Sequence, residues 1–474
     1  MERLIKVGKI TPKKSVDIKK SRIGLGFEKL DRDVFDPEKA YAFVAETGVK
    51  WARLQSGWQR TEREKGVYNF AWLDAVVDNM LAIGVEPWLC LCYGNDLYSE
   101  EAKKYFGAVG VPPIHTEEER QAWVNYVTAT VAHFKGRVHY YEVWNEPNGK
   151  WCWKHGPNAQ ELAEFTKRTA LACKAADPTC EVIGLALCAL SFNTFTEEVA
   201  AVGTLDYLDG ISYHAYSVND QIWKDRIEVL KNIRTRYNKP TLKIFQGESG
   251  THSRSDGAGA LRGGAWTQTK QAKFLLRHLI TDIGCGVEFA SYFSCMDMIE
   301  ALNGMVGDVA SYLDYGYFGV LGADFDENGR ASGTYTPKPS YYALQNLCSV
   351  LAEEYEVCAL PGEWVSLDSV RLQGMDLDPI NLASFCFKRE NGALAMMYWV
   401  PKNILTETYE GTVSFQMNEY VRGRELYLTD LMDGMVYKLS DAMQTDNGVL
   451  KNIPIADRPF MLTFGEFCDW EEIK

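Results

Sequence analysis

From residue 22 to residue 354, short runs of β-branched and aromatic residues alternate with longer stretches whose apolar residues recur every three or four positions. The runs at 23–27, 51–55, 85–91, 139–144, 182–188, 208–216, 242–247 and 287–294 are apolar without strict alternation, as expected of strands buried on both faces. Helical periodicity marks 71–83, 117–134, 159–175, 221–237, 268–283 and 340–351. Start signals support these assignments: Asp36-Pro37 opens a further helical turn, and Thr116 with Glu119 and Asn158 with Glu161 have the spacing of an N-cap and its third residue.

Eight strands joined by helix-length connections predict a parallel sheet, because parallel neighbours need a crossover between them. A doubly wound sheet is the competing arrangement, but the first strand leads into Gly24-Leu25-Gly26-Phe27-Glu28 rather than a phosphate-binding glycine turn. The repeat also has the length of a (β/α)₈ TIM barrel with insertions, about 250 residues and upward. After Tyr355 the pattern changes to short strands with polar turns at 365–372, 383–388, 393–399, 412–416, 425–428 and 460–464, the signature of an all-β sandwich. The expected organisation is therefore an α/β barrel over 21–354 and a C-terminal β-sandwich over 355–474, with 1–20 adding a strand to the latter.

Composition narrows the functional classes. A formal charge of -14 disfavours nucleic acid as a partner, since phosphate binding needs a basic face. No apolar run reaches the roughly 18 residues of a membrane span. The lysine-rich start lacks the apolar core of a secretory signal, and the 12 cysteines have no framework spacing, so a cytoplasmic protein with free thiols is expected. The 7 histidines are dispersed, without H-E-x-x-H or paired C-x-x-C spacing, and neither a metal nor another cofactor is expected.

Catalytic groups of a (β/α)₈ barrel sit where its strands end. The fourth strand runs out into Trp144-Asn145-Glu146-Pro147-Asn148, the seventh into Gln246-Gly247-Glu248-Ser249-Gly250. Two carboxylates on nearly opposite strands can face each other across the mouth, the arrangement that cleaves a glycosidic bond: one protonates the leaving oxygen and the other attacks the anomeric carbon.

These strings resemble the clan A glycoside hydrolases, whose fourth strand carries Asn-Glu-Pro and whose seventh ends in a glutamate. Glu142-Val143-Trp144-Asn145-Glu146-Pro147-Asn148, followed by Trp151 and Trp153, is most similar to family 39, which includes β-xylosidases and α-L-iduronidases. The resemblance implies that Glu146 is the acid/base and Glu248 the nucleophile of a retaining enzyme, with Asn145 on the sugar 2-hydroxyl. It also implies that Arg53 supports the ionised nucleophile and that His214 and Tyr216 contact it. An exo-acting, xylosidase-like enzyme on small carbohydrates is the reading, with an endo-glycanase or a non-catalytic carbohydrate-binding barrel as alternatives. The family also implies association of like subunits. Two features depart from the family. The string around Glu248 is Gly-Glu-Ser, and Tyr292 or Phe293 stands where the clan has a strand-eight tryptophan.

Other residues carry weaker expectations. Glu28, Glu142 and Glu288 are rival acids, with Glu142 expected deeper in the barrel than Glu146. Trp58, Trp88, Trp123 and Trp144 have the character of core residues. Trp151 and Trp153, on the loop after the acid/base, are candidates for stacking on sugar. Tyr93, Asn95 and Asp96 follow the third strand and are candidates for reading hydroxyls. The glycine-rich segment 251–266, with Arg254 and Arg262, has too little apolar content for a core and is expected to form a lid or binding loop.

Overall fold

The computed structural model describes residues 4–188, 192–372, 381–417, 424–445 and 447–473. A first strand, β1 (Leu4–Ile10), precedes eight parallel strands that close into a barrel: β2 (Ile23–Gly26), β3 (Trp51–Gln55), β4 (Glu86–Leu91), β5 (Tyr140–Val143), β6 (Glu181–Leu187), β7 (Gly210–His214), β8 (Lys243–Ser249) and β9 (Ala290–Tyr292). Pairing runs in chain order and β2 closes on β9, with Leu25 opposite Tyr292. The helices are α1 (Tyr41–Thr47), α2 (Trp58–Thr61), α3 (Ala71–Ala82), α4 (Glu117–Phe134), α5 (Ala159–Ala176), α6 (Phe192–Ala201), α7 (Asp220–Arg236), α8 (Gln268–Gly284) and α9 (Pro339–Val350). None is long and apolar enough to cross a membrane among the described residues.

Local chemistry explains several boundaries. Thr116 accepts from Glu119 N while the Glu119 carboxylate accepts from Thr116 N, a reciprocal cap that starts α4. Asn158 caps α5 through Glu161 N. Helix α6 has no counterpart in the sequence reading: Asn193, Thr194 and Thr196 are poor helix formers, and burial of Phe192, Phe195 and Val199 on one face sustains it. The strands expected over 208–216 and 287–294 pair only over β7 and β9.

The barrel floor is an aromatic plug. Trp51 stacks on Phe289 at 4.5 Å, and Trp88, Tyr140 and Phe245 fill the rest. Between β9 and α9 the chain makes two short ribbons, β10 (Met298–Ile299) with β11 (Tyr315–Gly316) and β12 (Leu321–Phe325) with β13 (Ala331–Pro337), unexpected from sequence.

The remaining strands are β14 (Glu356–Cys358), β15 (Gly362–Leu372), β16 (Ala383–Lys388), β17 (Leu394–Trp399), β18 (Tyr409–Met417), β19 (Leu426–Asp430), β20 (Met435–Leu439), β21 (Val449–Ala456), β22 (Phe460–Phe464) and β23 (Trp470–Glu472). They form an eight-stranded sheet, β14-β16-β17-β22-β19-β20-β1-β23, facing a three-stranded one, β15-β18-β21. β1 therefore lies between β20 and β23, far from the strand that follows it in sequence. Along β17 alternate residues serve two cores. Leu394, Met396 and Tyr398 join the space between the sheets, while Ala395, Met397 and Trp399 join the barrel's core. The joint is also polar: buried Asp220 accepts from Trp399 Nε1 at 2.6 Å and pairs with Arg277, which donates to Lys402 O at 3.0 Å.

Candidate active site

The carboxyl ends of β2, β3, β5, β7 and β8 converge on one buried cluster. Arg53, on β3 and fully buried, is its hub. Its Nε donates to Glu142 at 2.7 Å, one Nη to Asn145 Oδ1 at 2.8 Å, and the other Nη to Glu248 at 3.0 Å and Glu28 at 3.4 Å. A planar guanidinium can serve these acceptors at once because its donors fan out in a rigid fork.

Glu248 ends β8 with both oxygens engaged. Oε2 accepts from Arg53, and Oε1 accepts from the Tyr216 hydroxyl at 2.6 Å. Burial opposes ionisation of Glu248, but His214, Arg53, the Tyr216 hydroxyl and Lys29 together outweigh it and hold its carboxyl below the usual range. His214 Nδ1 lies 2.9 Å from Glu146 Oε1 and 3.9 Å from Glu248 Oε2. One carboxylate oxygen each of Glu146 and Glu248 and a ring nitrogen of His214 all fall within 4.8 Å of one another. Such a trio could cradle a cation, but every one of these side chains is already engaged within the protein.

Glu146 sits beyond β5 with φ of 45°, and Trp144 before it has φ of 65°. Left-handed backbone at two non-glycine residues costs about 1 kcal/mol or more each and needs support from its surroundings. The Trp144 indole supplies part of it, buried against Trp123 and Phe165 and donating to Cys152 O at 2.7 Å. The turn re-aims the chain so that Glu146 points into the mouth while Glu142, four residues earlier, lies deep beneath Arg53. Glu288 lines the opposite end of the barrel with Trp51 and Tyr140.

The sequence profile of Glycosyl hydrolases family 39 matches residues 49–354. The chain belongs to family 39. A β-xylosidase of Geobacillus stearothermophilus is 30% identical over 162 residues, spanning 32% of this chain and 31% of the relative, so less than a third of that relative's length is aligned. Two solved structures share the fold at 17% identity. A family 39 glycoside hydrolase from the gut symbiont Bacteroides cellulosilyticus WH2 has a TM-score of 0.66, covering 96% of this chain and 83% of that one. A family 39 β-xylosidase from Caulobacter crescentus has a TM-score of 0.60, covering 96% and 98%.

Within this family 39 chain the aromatics around the mouth divide differently from the sequence expectation. Trp151 is half-buried: its indole N–H donates to Glu146 Oε2, and its ring packs on Gly149, where a Cβ would stand 2.4 Å away. Trp153, two residues on, is fully buried against Trp144 and Phe165 with Nε1 donating to Glu161 at 3.3 Å, so it is a core residue and no sugar platform. Tyr292 is likewise buried, its hydroxyl donating to Thr251 O at 3.4 Å. Its neighbour Phe293 borders the site instead, with Lys29 Nζ 5.1 Å from its ring and Phe318 at 5.4 Å.

Asn95 ties its loop to the end of α2, donating to Glu62 O and accepting from Leu97 N, both at 2.9 Å. Tyr93 is buried, accepting from Gln55 Nε2 at 3.4 Å and lying 3.6 Å from Cys152 Sγ. Asp96 lines a neighbouring cavity of about 440 Å³ with Arg32, Arg60 and Phe106. Asn145, by contrast, is in the cluster, oriented by Arg53 and with Nδ2 3.4 Å from Cys152 Sγ, a weak acceptor.

Three charged residues of the cluster carry no role in the sequence reading. Glu28, a rival acid by sequence, is buried beside Arg53; burial pushes its carboxyl up to about 8 against the pull of Arg53, and the charge on Glu248 adds to the rise. Lys29, next in sequence, donates to Ile299 O at 3.1 Å and lies 3.6 Å from Glu300. Glu300 follows β10 and is pushed up to about 7 by burial, with Lys29 opposing and Asp314 and Glu248 contributing. Gly259 and Gly316 make room for it; a Cβ at either would come within 2.8 Å or 2.3 Å of its carboxyl group. The 251–266 segment thus reaches the site through Gly259, anchored by buried Trp266 and by Ser253, which accepts from Lys338 at 2.9 Å.

Proposed function

We propose that this chain is a retaining glycoside hydrolase, an exo-acting β-glycosidase of xylosidase type on small oligosaccharides or glycosides. The observation that carries the reading is the approach of Glu146 and Glu248, with carboxylate oxygens within 4.8 Å. Retaining chemistry uses a separation of about 5–5.5 Å, whereas inverting enzymes need roughly 6.5–9.5 Å to admit a water. Glu146 donates a proton to the leaving oxygen as Glu248 attacks the anomeric carbon. A glycosyl-enzyme forms, and water then displaces it with Glu146 as base. The surroundings of Glu248 suit a nucleophile, since, against the pull of burial, donors and a cation hold its carboxyl below the usual range; Glu146 lies against His214 and Trp151.

Family membership and the aligned β-xylosidase support the xylosidase assignment. The β10–β11 ribbon and the 251–266 segment meet at Glu300 beside the site, through Gly316 and Gly259; exo action is argued from the expected cytoplasmic location, since polymers do not cross a membrane. The 12 free thiols fit a reducing cytoplasm. A panel of chromogenic aryl glycosides tests activity and glycone together. Glu248→Ala is expected to abolish turnover, with azide restoring cleavage of an activated substrate and giving the inverted glycosyl azide. Undiminished hydrolysis by Glu248→Ala removes it as nucleophile.

A further inference from the structure

The amide of Asn145 is held at both ends. Its oxygen accepts from Arg53 Nη2 at 2.8 Å, and its nitrogen donates one N–H to Cys152 Sγ at 3.4 Å. Cys152 is itself a fixed point on the loop after β5. Its N–H donates to Gly149 O at 3.0 Å, and its carbonyl accepts from Trp144 Nε1 at 2.7 Å. Its Cα lies 3.0 Å from where a Cβ on Gly110 would stand, an approach that Gly110, with φ of 77°, admits.

A second donor reaches the same sulfur. The Tyr93 hydroxyl lies 3.6 Å from Sγ. Gln55 Oε1 is taken by Lys29 N at 3.1 Å and Arg32 Nη2 at 2.6 Å, so its Nε2 end is the one facing the Tyr93 oxygen, at 3.4 Å. That leaves the phenolic proton for the sulfur, and a thiol is the weaker donor of the two. Sγ thus accepts twice, from Asn145 and from Tyr93. Burial, with the Glu146 carboxylate adding to it, pushes the Cys152 thiol up to about 12 against these two donors, so the sulfur is an uncharged acceptor.

We propose that Cys152 is a positioning residue: by accepting one N–H of Asn145 it turns the amide so that the other N–H faces the 2-hydroxyl of the bound sugar, with Tyr93 bracing the sulfur from behind. The inference rests on the glycosidase reading and on Asn145 meeting that hydroxyl. Cys152 is fully buried and acts only through Asn145. Tyr93 then serves the sugar at one remove, through the sulfur, instead of reading a hydroxyl itself. An amide has two N–H donors and a fixed plane, so pinning its oxygen and one N–H sets the direction of the second.

Cys152→Ala and Cys152→Val both remove the acceptor, and the valine refills the space. Two substrates read the effect: 4-nitrophenyl β-xyloside and its 2-deoxy analogue, which has no hydroxyl for Asn145 to meet. Each variant is expected to lose roughly fivefold in kcat/KM on the first, the worth of one hydrogen bond, and less than about twofold on the second. In an Asn145→Ala background the same Cys152 changes should leave the ratio of the two substrates unmoved, because the residue through which they act is gone. Loosened packing alone would lower both substrates alike. An unmoved ratio in the single variants, or an equal fall of the ratio in the Asn145→Ala background, overturns the proposal. Should neither Cys152 variant fold, Tyr93→Phe is read in the same way: a smaller fall of the ratio supports the proposal and an unmoved ratio overturns it. Failure of the functional reading looks different. A wild type that cleaves no aryl glycoside removes that reading and the positioning role with it, whereas an active enzyme whose variants keep the ratio loses the positioning role alone.

Discussion

Arg53→Met removes the cation shared by Glu142, Glu248 and Glu28 while keeping most of the apolar stem. Two effects follow from the distances. The guanidinium is 3.0 Å from Glu248, and a positive charge that close lowers a carboxylate pKa by about 1–3 units. Its loss should therefore raise the acidic limb of kcat/KM by about 1–3 pH units, because under the proposed chemistry Glu248 must be ionised to attack. The second effect is on stability. Glu142 is fully buried and 2.7 Å from Arg53; stripping one member from a buried pair costs about 3–5 kcal/mol. The sign with pH is fixed. Without Arg53 the buried carboxyls have folded pKa values above their unfolded values, so they bind protons more tightly folded than unfolded, and the variant loses stability as pH rises. The wild-type advantage should then widen from about pH 5 to about pH 8. Urea unfolding at both pH values and a full pH profile of kcat/KM on an aryl xyloside measure these quantities. A variant whose kcat/KM falls by one constant factor, with its acidic limb and stability difference unmoved by pH, refutes the electrostatic role.

The remaining expectations are narrower. The Glu28 carboxyl is held up at about 8 by burial, against an ordinary value of 4.5, so it disfavours the folded state increasingly as pH rises between the two. Glu28→Gln should remove that slope, raising Tm at about pH 8 relative to about pH 5 when both are compared with wild type. Trp151 and Trp153 should separate cleanly. Trp153→Ala should cost about 3–5 kcal/mol in denaturant unfolding with little change in KM. Trp151→Phe should leave stability nearly intact and slow substrates with poor leaving groups more than activated ones, because it strips a donor from Glu146. Equal losses on both substrate classes would remove Trp151 from the acid/base's support.

What the sequence disclosed and what it hid follow from the range of the interactions. Trp51–Gln55 and the Glu146 turn are locally encoded, by a buried-strand composition and by Trp-Asn-Glu-Pro at a strand end. Arg53, His214 and Tyr216 were legible because they lie within or just beyond strands whose order fixes where they open. Glu28 and Glu300 were not, because only closure of β2 on β9 and the β10–β11 ribbon bring them beside Glu248. Nothing local distinguishes them from surface acids. Trp153 and Trp151 sit two residues apart on one irregular loop, where neither helical nor strand period says which ring turns inward. The β1 strand falls in the segment expected to add a strand to the C-terminal sandwich and pairs there with β20 and β23; which strands it would join, at the other end of the chain, is not encoded locally.

The most direct test of the two-carboxylate chemistry is covalent trapping. A 2,4-dinitrophenyl 2-deoxy-2-fluoro-β-xyloside slows breakdown of the glycosyl-enzyme more than its formation, so intact-mass spectrometry should register one added fluorosugar and peptide mapping should locate it. A single label on Glu248, lost on incubation with an acceptor and absent in Glu248→Ala, is the expected result. A label on Glu28, Glu146 or Glu300, or steady turnover of the ordinary xyloside with an inverted first product and no trapped species, contradicts the assignment.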